Sequence, residues 1–268
     1  MKHFMKHDME STPPTPFHRA ISTYKSSLIR MGTLYSAYAI AYEIVFVLIS
    51  WGLWILLELT VGWQRSSFDA LPLDREAIAQ NPVLIETAAS GLRFFVAKMG
   101  LILLAFAVAF SLLYCFFNAL IWARLNAQTP SAPWIRRWMK ATGPFALFWL
   151  ALFAVTAFVF KQEWYFLTVP IWFFAALLGM TILHIALSIN TSISGWKAIK
   201  ESPAILLAHY KTNYKTIIWC LFLWLITYIP LTFLLGLITD MTRTEILVPY
   251  LVITTVWLRK YLVLCANL

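Results

Sequence analysis

The sequence predicts an all-α fold: a polytopic membrane bundle of six transmembrane helices with amphipathic interfacial helices on the cytoplasmic side. Three observations predict it. The 268 residues are 61% hydrophobic and 12% charged, where soluble domains carry about 25% charged residues. A soluble chain of this length could not bury so much apolar surface. Six apolar runs succeed one another, and Lys and Arg fall unequally on the two sides those runs define.

Residues 1–14 hold His3, His7, Asp8 and Glu10 and end at Pro13-Pro14. They read as a disordered cytoplasmic tail ahead of a single membrane domain, 15–268. A shared helical face for His3 and His7 is the alternative, and metal binding is not expected there. Thr15 is a natural N-cap with Pro16 at the first helical position. Phe17, Ile21, Tyr24, Leu28 and Met31 then recur at helical spacing, with Arg19, Lys25 and Arg30 between them. Residues 16–31 are therefore predicted to be an interfacial helix, its apolar face in the lipid boundary and its cations toward phosphates. No cleavable signal peptide is expected, because mostly polar residues precede the first apolar run.

The spans are placed at about 33–62, 92–122, 144–160, 164–190, 216–239 and 246–265, each near the roughly 20 residues needed to cross a bilayer. The sixth is interrupted by Arg259 and Lys260, which are expected to snorkel to the near interface. Asp74 is expected to cap a short helix in the acidic segment between the first two spans. Short turns at Lys161–Glu163 and Asp240–Glu245 predict helical hairpins of spans three and four and of spans five and six.

Lys and Arg number 5 in residues 1–32, 4 in 123–143, 4 in 191–215 and 2 at 259–260. The opposite side has only Arg65, Arg75, Arg93, Lys98, Lys161 and Arg243. With the loop acids included, the two sides carry +12 and −1, and Glu43 and Glu58 within the first run supply the remaining −2, so both termini are predicted to be cytoplasmic. The overall charge of +9 thus reflects topology, and nucleic acid is not an expected partner. Asn190-Thr191-Ser192 matches a glycosylation acceptor but falls on the cytoplasmic side.

The inside connections echo the N-terminal helix. Pro133-Trp134-Ile135-Arg136-Arg137-Trp138 leads into span three and Gly195-Trp196-Lys197-Ala198-Ile199-Lys200 into span five, each similar to Pro16-Phe17-His18-Arg19-Ala20-Ile21. Three units of surface helix plus hairpin is one reading. Independent basic aromatic anchors at the interface is the other. Arg136, Arg137, Lys140, Lys197 and Lys200 join Arg19, Lys25 and Arg30 as residues expected to face anionic lipid headgroups. On these repeated segments and the Gly195–Lys215 stretch, most of the chain resembles the six-span membrane domain of some bacterial glycerophosphodiester phosphodiesterases and their stand-alone inner-membrane relatives. The resemblance implies the membrane layout and no phosphodiesterase activity.

Catalytic signatures are missing: no HExxH, no phosphate-binding Gly-rich loop and no GxSxG elbow occurs. Glu43 is the sharpest polar signal. It lies roughly 13 Å into the first span, where a charge costs at least about 2.5 kcal/mol. Ser36, Glu43 and Ser50 recur every seven residues as a polar stripe. His184 lies about 9 Å from the cytoplasmic end of span four, so it could meet Glu43 in the inner half of the bundle. The pair then either binds a proton, a cation or a cationic ligand, or it is a neutral carboxyl hydrogen-bonded to Ser, Tyr or His that fixes packing.

Glu58 is expected in a boundary ion pair with Arg93 or Lys98, near Trp63. Trp63, Trp122, Trp164 and Trp219 are expected as interfacial anchors, and Trp51, Trp54, Trp172 and Trp224 lie deeper. Pro170 and Pro230 fall inside spans. Cys115, Cys220 and Cys265 read as small buried hydrophobes, and Cys265 is a poor fit to a prenylation box. His184 alone supports no two-histidine haem, and no cofactor is expected.

The function expected is that of a non-enzymatic accessory or scaffold subunit, associating with the lipid bilayer and with other membrane subunits or a second copy. The alternative is a small-solute or ion transporter using Glu43 and His184. With no targeting segment in view, the bacterial cytoplasmic (inner) membrane is the expected location.

Overall fold

The structure is a computed structural model, and it describes residues 15–69, 82–159, 162–190, 192–238 and 244–266. The N-terminal tail, Asp74, Lys161, Thr191 and Asp240 lie outside the described residues. All regular structure among the described residues is helical: α1 Pro16–Met31, α2 Leu34–Asp69, α3 Pro82–Leu125, α4 Ala132–Val159, α5 Gln162–Ile189, α6 Gly195–Ile238 and α7 Thr244–Ala266. Two stretches, Leu34–Ser66 and Glu86–Leu125, are long and apolar enough to cross a membrane. The chain divides into two compact units. One holds α1, α7 and α6 from Ala204; the other runs from Tyr35 to Pro203.

Local signals place the helix ends. Thr15 Oγ1 accepts the His18 backbone N–H at 3.4 Å, with Pro16 at the first helical position. Gly32 ends α1, so this surface segment is a helix of its own. The two echoing segments are not. Pro133–Trp138 forms the first turns of α4, which continues through Pro144, and Gly195–Lys200 opens the 44-residue α6. Pro144 cannot donate to the Lys140 carbonyl one turn back, yet packing on both sides keeps the helix going. Gly195 lies close to that same carbonyl; a Cβ there would sit 4.0 Å from the oxygen, and its φ of +58° needs glycine.

In the first unit α1 packs along α7. The side chains of α1 that are buried are Ala20, Thr23 and Ser27, while Phe17 and Leu28 remain exposed. The packed face is therefore displaced by about a quarter turn from the predicted apolar stripe. Small and hydroxyl side chains let two helices approach closely, and the bulky ones are left to face outward. Ala20, Cys220, Tyr261 and Cys265 form the core, flanked by Tyr24, Leu223 and Trp224. Lys260 is buried at 4% exposure and does not reach an outer rim as expected. Its position on α7 turns it into the unit.

In the second unit α4 packs on both α3 and α5. Close approach of α4 and α5 relies on Gly179, where a Cβ would come within 2.7 Å of the Phe145 ring. Along α2 the residues buried are Ser36, Ala39, Glu43 and Gln64. Outside that stripe Leu48, Trp51, Trp54, Leu59 and Trp63 are exposed. This is the reverse of a soluble amphipathic helix, which buries its apolar face in a core.

Candidate functional site

The polar residues singled out in α2 and α5 converge on the second unit's interior. Glu43 is 7% exposed, Ser36 is fully buried and His184 is 3% exposed. Phe46 lies one turn beyond Glu43 on the same face, and its ring is 6.0 Å from that of Tyr114 on α3. On its other side Tyr114 lies 6.4 Å from the His184 ring. The Glu43 face of α2 and His184 of α5 thus border one tyrosine. Ser50, the last member of the stripe, lines an apolar cavity of about 550 Å³ with Trp54, Phe106, Phe110 and Leu150. Its buried hydroxyl has no hydrogen-bond partner among the described residues.

His184 sits in an aromatic box. Its ring centroid is 5.2 Å from Trp138 and 5.5 Å from Trp122. Those indoles stack at 5.9 Å, and Trp134 stacks on Trp138 at 5.6 Å. Trp122 is 1% exposed, so it is a core residue and not the interfacial anchor its place at a span end predicts. The signal that could have revealed the box is the spacing of Trp134, Trp138 and Thr142, which share one helical face. Backbone carbonyls fix the arrangement: Trp134 Nε1 donates to Ala119 O at 2.9 Å and Thr142 Oγ1 to Trp138 O at 2.9 Å. Asn118, also buried, donates to Tyr114 O at 2.8 Å.

The cations divide into two kinds. Arg19, Lys25, Arg30, Arg136, Lys140, Lys197 and Lys200 are exposed. Lys197 lies 3.9 Å from Glu201 one turn on, a solvated pair worth little. Arg137 departs from the expectation. It is half-buried, donates from Nη2 to Leu187 O at 2.6 Å and lies 4.8 Å over the Trp134 ring. A cation on the last turn of α5 meets the negative end of the helix dipole. Burial pushes its pKa down, but a guanidinium starts so far above neutrality that it stays charged.

At the other end of α2, Glu58 accepts from Trp54 Nε1 at 2.7 Å, and Lys98 lies 5.6 Å over the Trp63 ring. The expected ion pair is replaced by these two contacts, since an indole one turn away reaches the carboxylate without leaving the helix. Asn190 Oδ1 accepts the backbone N–H and the hydroxyl of Ser192, at 3.0 and 2.7 Å. This turn leads into α6. The three cysteines are free and buried, as expected.

The fold and site define an all-α protein with two membrane-capable helices and a histidine held among tryptophans. Comparison of the chain with protein-family models, curated proteins and solved structures finds no match.

Proposed function

We propose that this chain is a non-enzymatic integral membrane protein acting as an accessory or scaffold subunit of a membrane complex. In this reading α2 to α7 each contain one of six spans, and residues 1–32 and both termini face the cytoplasm of a bacterial inner membrane. The observation that carries the reading is the inversion of α2, whose buried residues are polar or small while its tryptophans and four of its six leucines are exposed. Such a helix is stable only where its surroundings are apolar. Helices α2 to α7 each cover one of the six apolar runs, and the excess of Lys and Arg on one side supports the orientation.

Exposed Trp51 and Trp54 in the middle of α2 offer aromatic surface to a partner's helix. The test is purification from native membranes at native expression level, with mass spectrometry of what accompanies the chain. A stoichiometric partner is expected. A lone monomer or homodimer sinks the subunit reading.

A second reading, transport of a small solute or ion, draws on the burial of Glu43 and His184 in one unit. The rings packed around His184 leave that side chain a structural role. Glu43→Gln is therefore expected to leave ion flux in proteoliposomes unchanged. Loss of flux with an unaltered melting temperature would move the transport reading to first place.

A further inference from the structure

Two separate recesses, one in each unit, have the same chemistry and the same sequence origin. In the first unit Pro16 and Arg19 border a recess of about 300 Å³ with Asn213, Tyr214, Lys215 and Thr216. In the second, Pro133, Arg136, Arg137 and Lys140 border one of about 320 Å³ with Ser192 and Ser194. Both begin with Pro-aromatic-x-Arg: Pro16-Phe17-His18-Arg19 and Pro133-Trp134-Ile135-Arg136. In both, the proline and the arginine three residues on line the recess, joined by a lysine (Lys215 from a distant segment, Lys140 from the same helix) and by at least one hydroxyl from a distant segment. Among the described residues, neither is lined by a carboxylate.

The aromatic residue explains why the motif yields the same structure twice. Phe17 packs edge-on against Trp219 at 4.9 Å. Trp134 is hydrogen-bonded to Ala119 O at 2.9 Å. Each ring touches a neighbouring helix of its own unit, Trp134 buried and Phe17 at 40% exposure, and the arginine one helical turn beyond the proline is left at the recess. The third echo, Gly195-Trp196-Lys197, has glycine in place of proline and lysine two positions on, and Trp196 is 69% exposed. It builds no such anchor.

We propose that these recesses are two binding sites for a phosphate group, in first place the phosphate of an anionic phospholipid. Arginine and lysine side chains with hydroxyl donors, and no competing carboxylate among the described residues, match phosphate oxygens, which accept several charge-assisted hydrogen bonds at once. The first recess shares Pro16 and Lys215 with an adjoining apolar pocket of about 360 Å³ lined by Phe17, Ile218 and Trp219. A ligand with a phosphate and a hydrocarbon chain would satisfy both. In the proposed orientation all four segments lie on the cytoplasmic side, where anionic headgroups attract cations. The lipid source rests on the membrane reading given above; the phosphate chemistry does not.

The test uses the full chain, stripped of lipid in detergent, with dioleoylphosphatidic acid and dioleoylphosphatidylcholine compared by native mass spectrometry. Two phosphatidic acids should be retained in preference to phosphatidylcholine. Arg19→Gln with Lys215→Gln should abolish one and Arg136→Gln with Lys140→Gln the other, each weakening its site about tenfold or more. These side chains are exposed, so melting temperatures should match the parent and separate lost binding from lost folding.

Lys197→Gln with Lys200→Gln removes the same charge elsewhere and should change retention less than about twofold. Equal loss in that control, or unchanged retention in both recess pairs, overturns the proposal. An inorganic-phosphate arm separates the sources. Phosphate that displaces the lipid and binds with the same dependence on the recess residues makes soluble phosphate the ligand. Lipid that stays bound in excess phosphate makes it the headgroup. Absence of a partner subunit would defeat the scaffold reading and leave this assay untouched.

Discussion

The two units keep polar atoms inside apolar surroundings by different means. The unit of α1, α6 and α7 ties hydroxyls, a ring nitrogen and carbonyls together across long stretches of chain. Tyr24 and Thr227 share a hydrogen bond at 2.6 Å, Trp257 Nε1 donates to Ser27 Oγ at 3.2 Å, and Tyr261 donates to Cys220 O at 2.7 Å. His209 Nε2 lies 3.3 Å from Cys265 O. The unit of α2 to α5 instead surrounds its histidine with stacked rings, and the indole N–H groups of buried Trp122 and Trp138 have no acceptor among the described residues. The difference is one of emphasis: the first unit links distant segments mainly by directed bonds worth about 1 kcal/mol each, while the second adds the packing of large rings to its own bonds from Trp134 and Arg137.

The largest expected effect is therefore on ring packing. Trp138→Ala should cost about 3–5 kcal/mol. Alkylation of Cys115, buried in the same unit, should accelerate while Cys220 and Cys265 stay protected. If all three thiols open together, the units are one cooperative body and the contrast breaks.

Arg137→Gln comes next. It removes a charge-assisted bond to Leu187 O, worth about 1.5–3 kcal/mol. Arg137→Lys should fall between, because lysine keeps the charge but not the planar fork lying over Trp134. Thermal melts of the three proteins in one detergent check the order, and a lysine variant as weak as glutamine would show that stacking matters more than charge.

Tyr261→Phe tests the directed-bond unit. Losing the donor to Cys220 O should cost about 0.5–1.5 kcal/mol and speed alkylation of Cys220 and Cys265 without touching Cys115. The opposite pattern of reactivity would reverse the assignment of bonds to units. Smallest of all is Glu58→Gln. The Trp54 indole can donate to an amide oxygen as it does to the carboxylate, and the site is exposed. A change within about 0.5 kcal/mol is expected, and a larger drop would mean that an ion pair does operate there.

Much of the second unit's interior was legible in advance. Ser36, Glu43 and Ser50 share a face through helical spacing alone, and the burial of Ser36, Glu43 and the Ser50 hydroxyl follows because apolar surroundings leave a polar stripe only the inside to occupy. His184 was legible as a buried polar residue for the same reason. Its tryptophan neighbours were not. Trp122 at a span end reads as an anchor until α4 arrives to cover it, and that meeting depends on the path of the chain between them. Arg137 looked like its neighbours Arg136 and Lys140, yet only the carbonyl of Leu187, 50 residues away, turns it inward.

The sequence by itself determined the helices, the cap at Thr15, the polar stripe of α2 and the unequal charge, all of which rest on neighbours within a few turns. The tertiary structure alone decided which face of α1 is packed, that Lys260 is buried, that α4 and α6 run unbroken from their aromatic starts, and that two basic recesses close around Pro-aromatic-x-Arg. Local periodicity is set by 3.6 residues per turn. Contacts between distant segments are set by which small and large side chains allow two helices to meet, and no short stretch of sequence contains both partners.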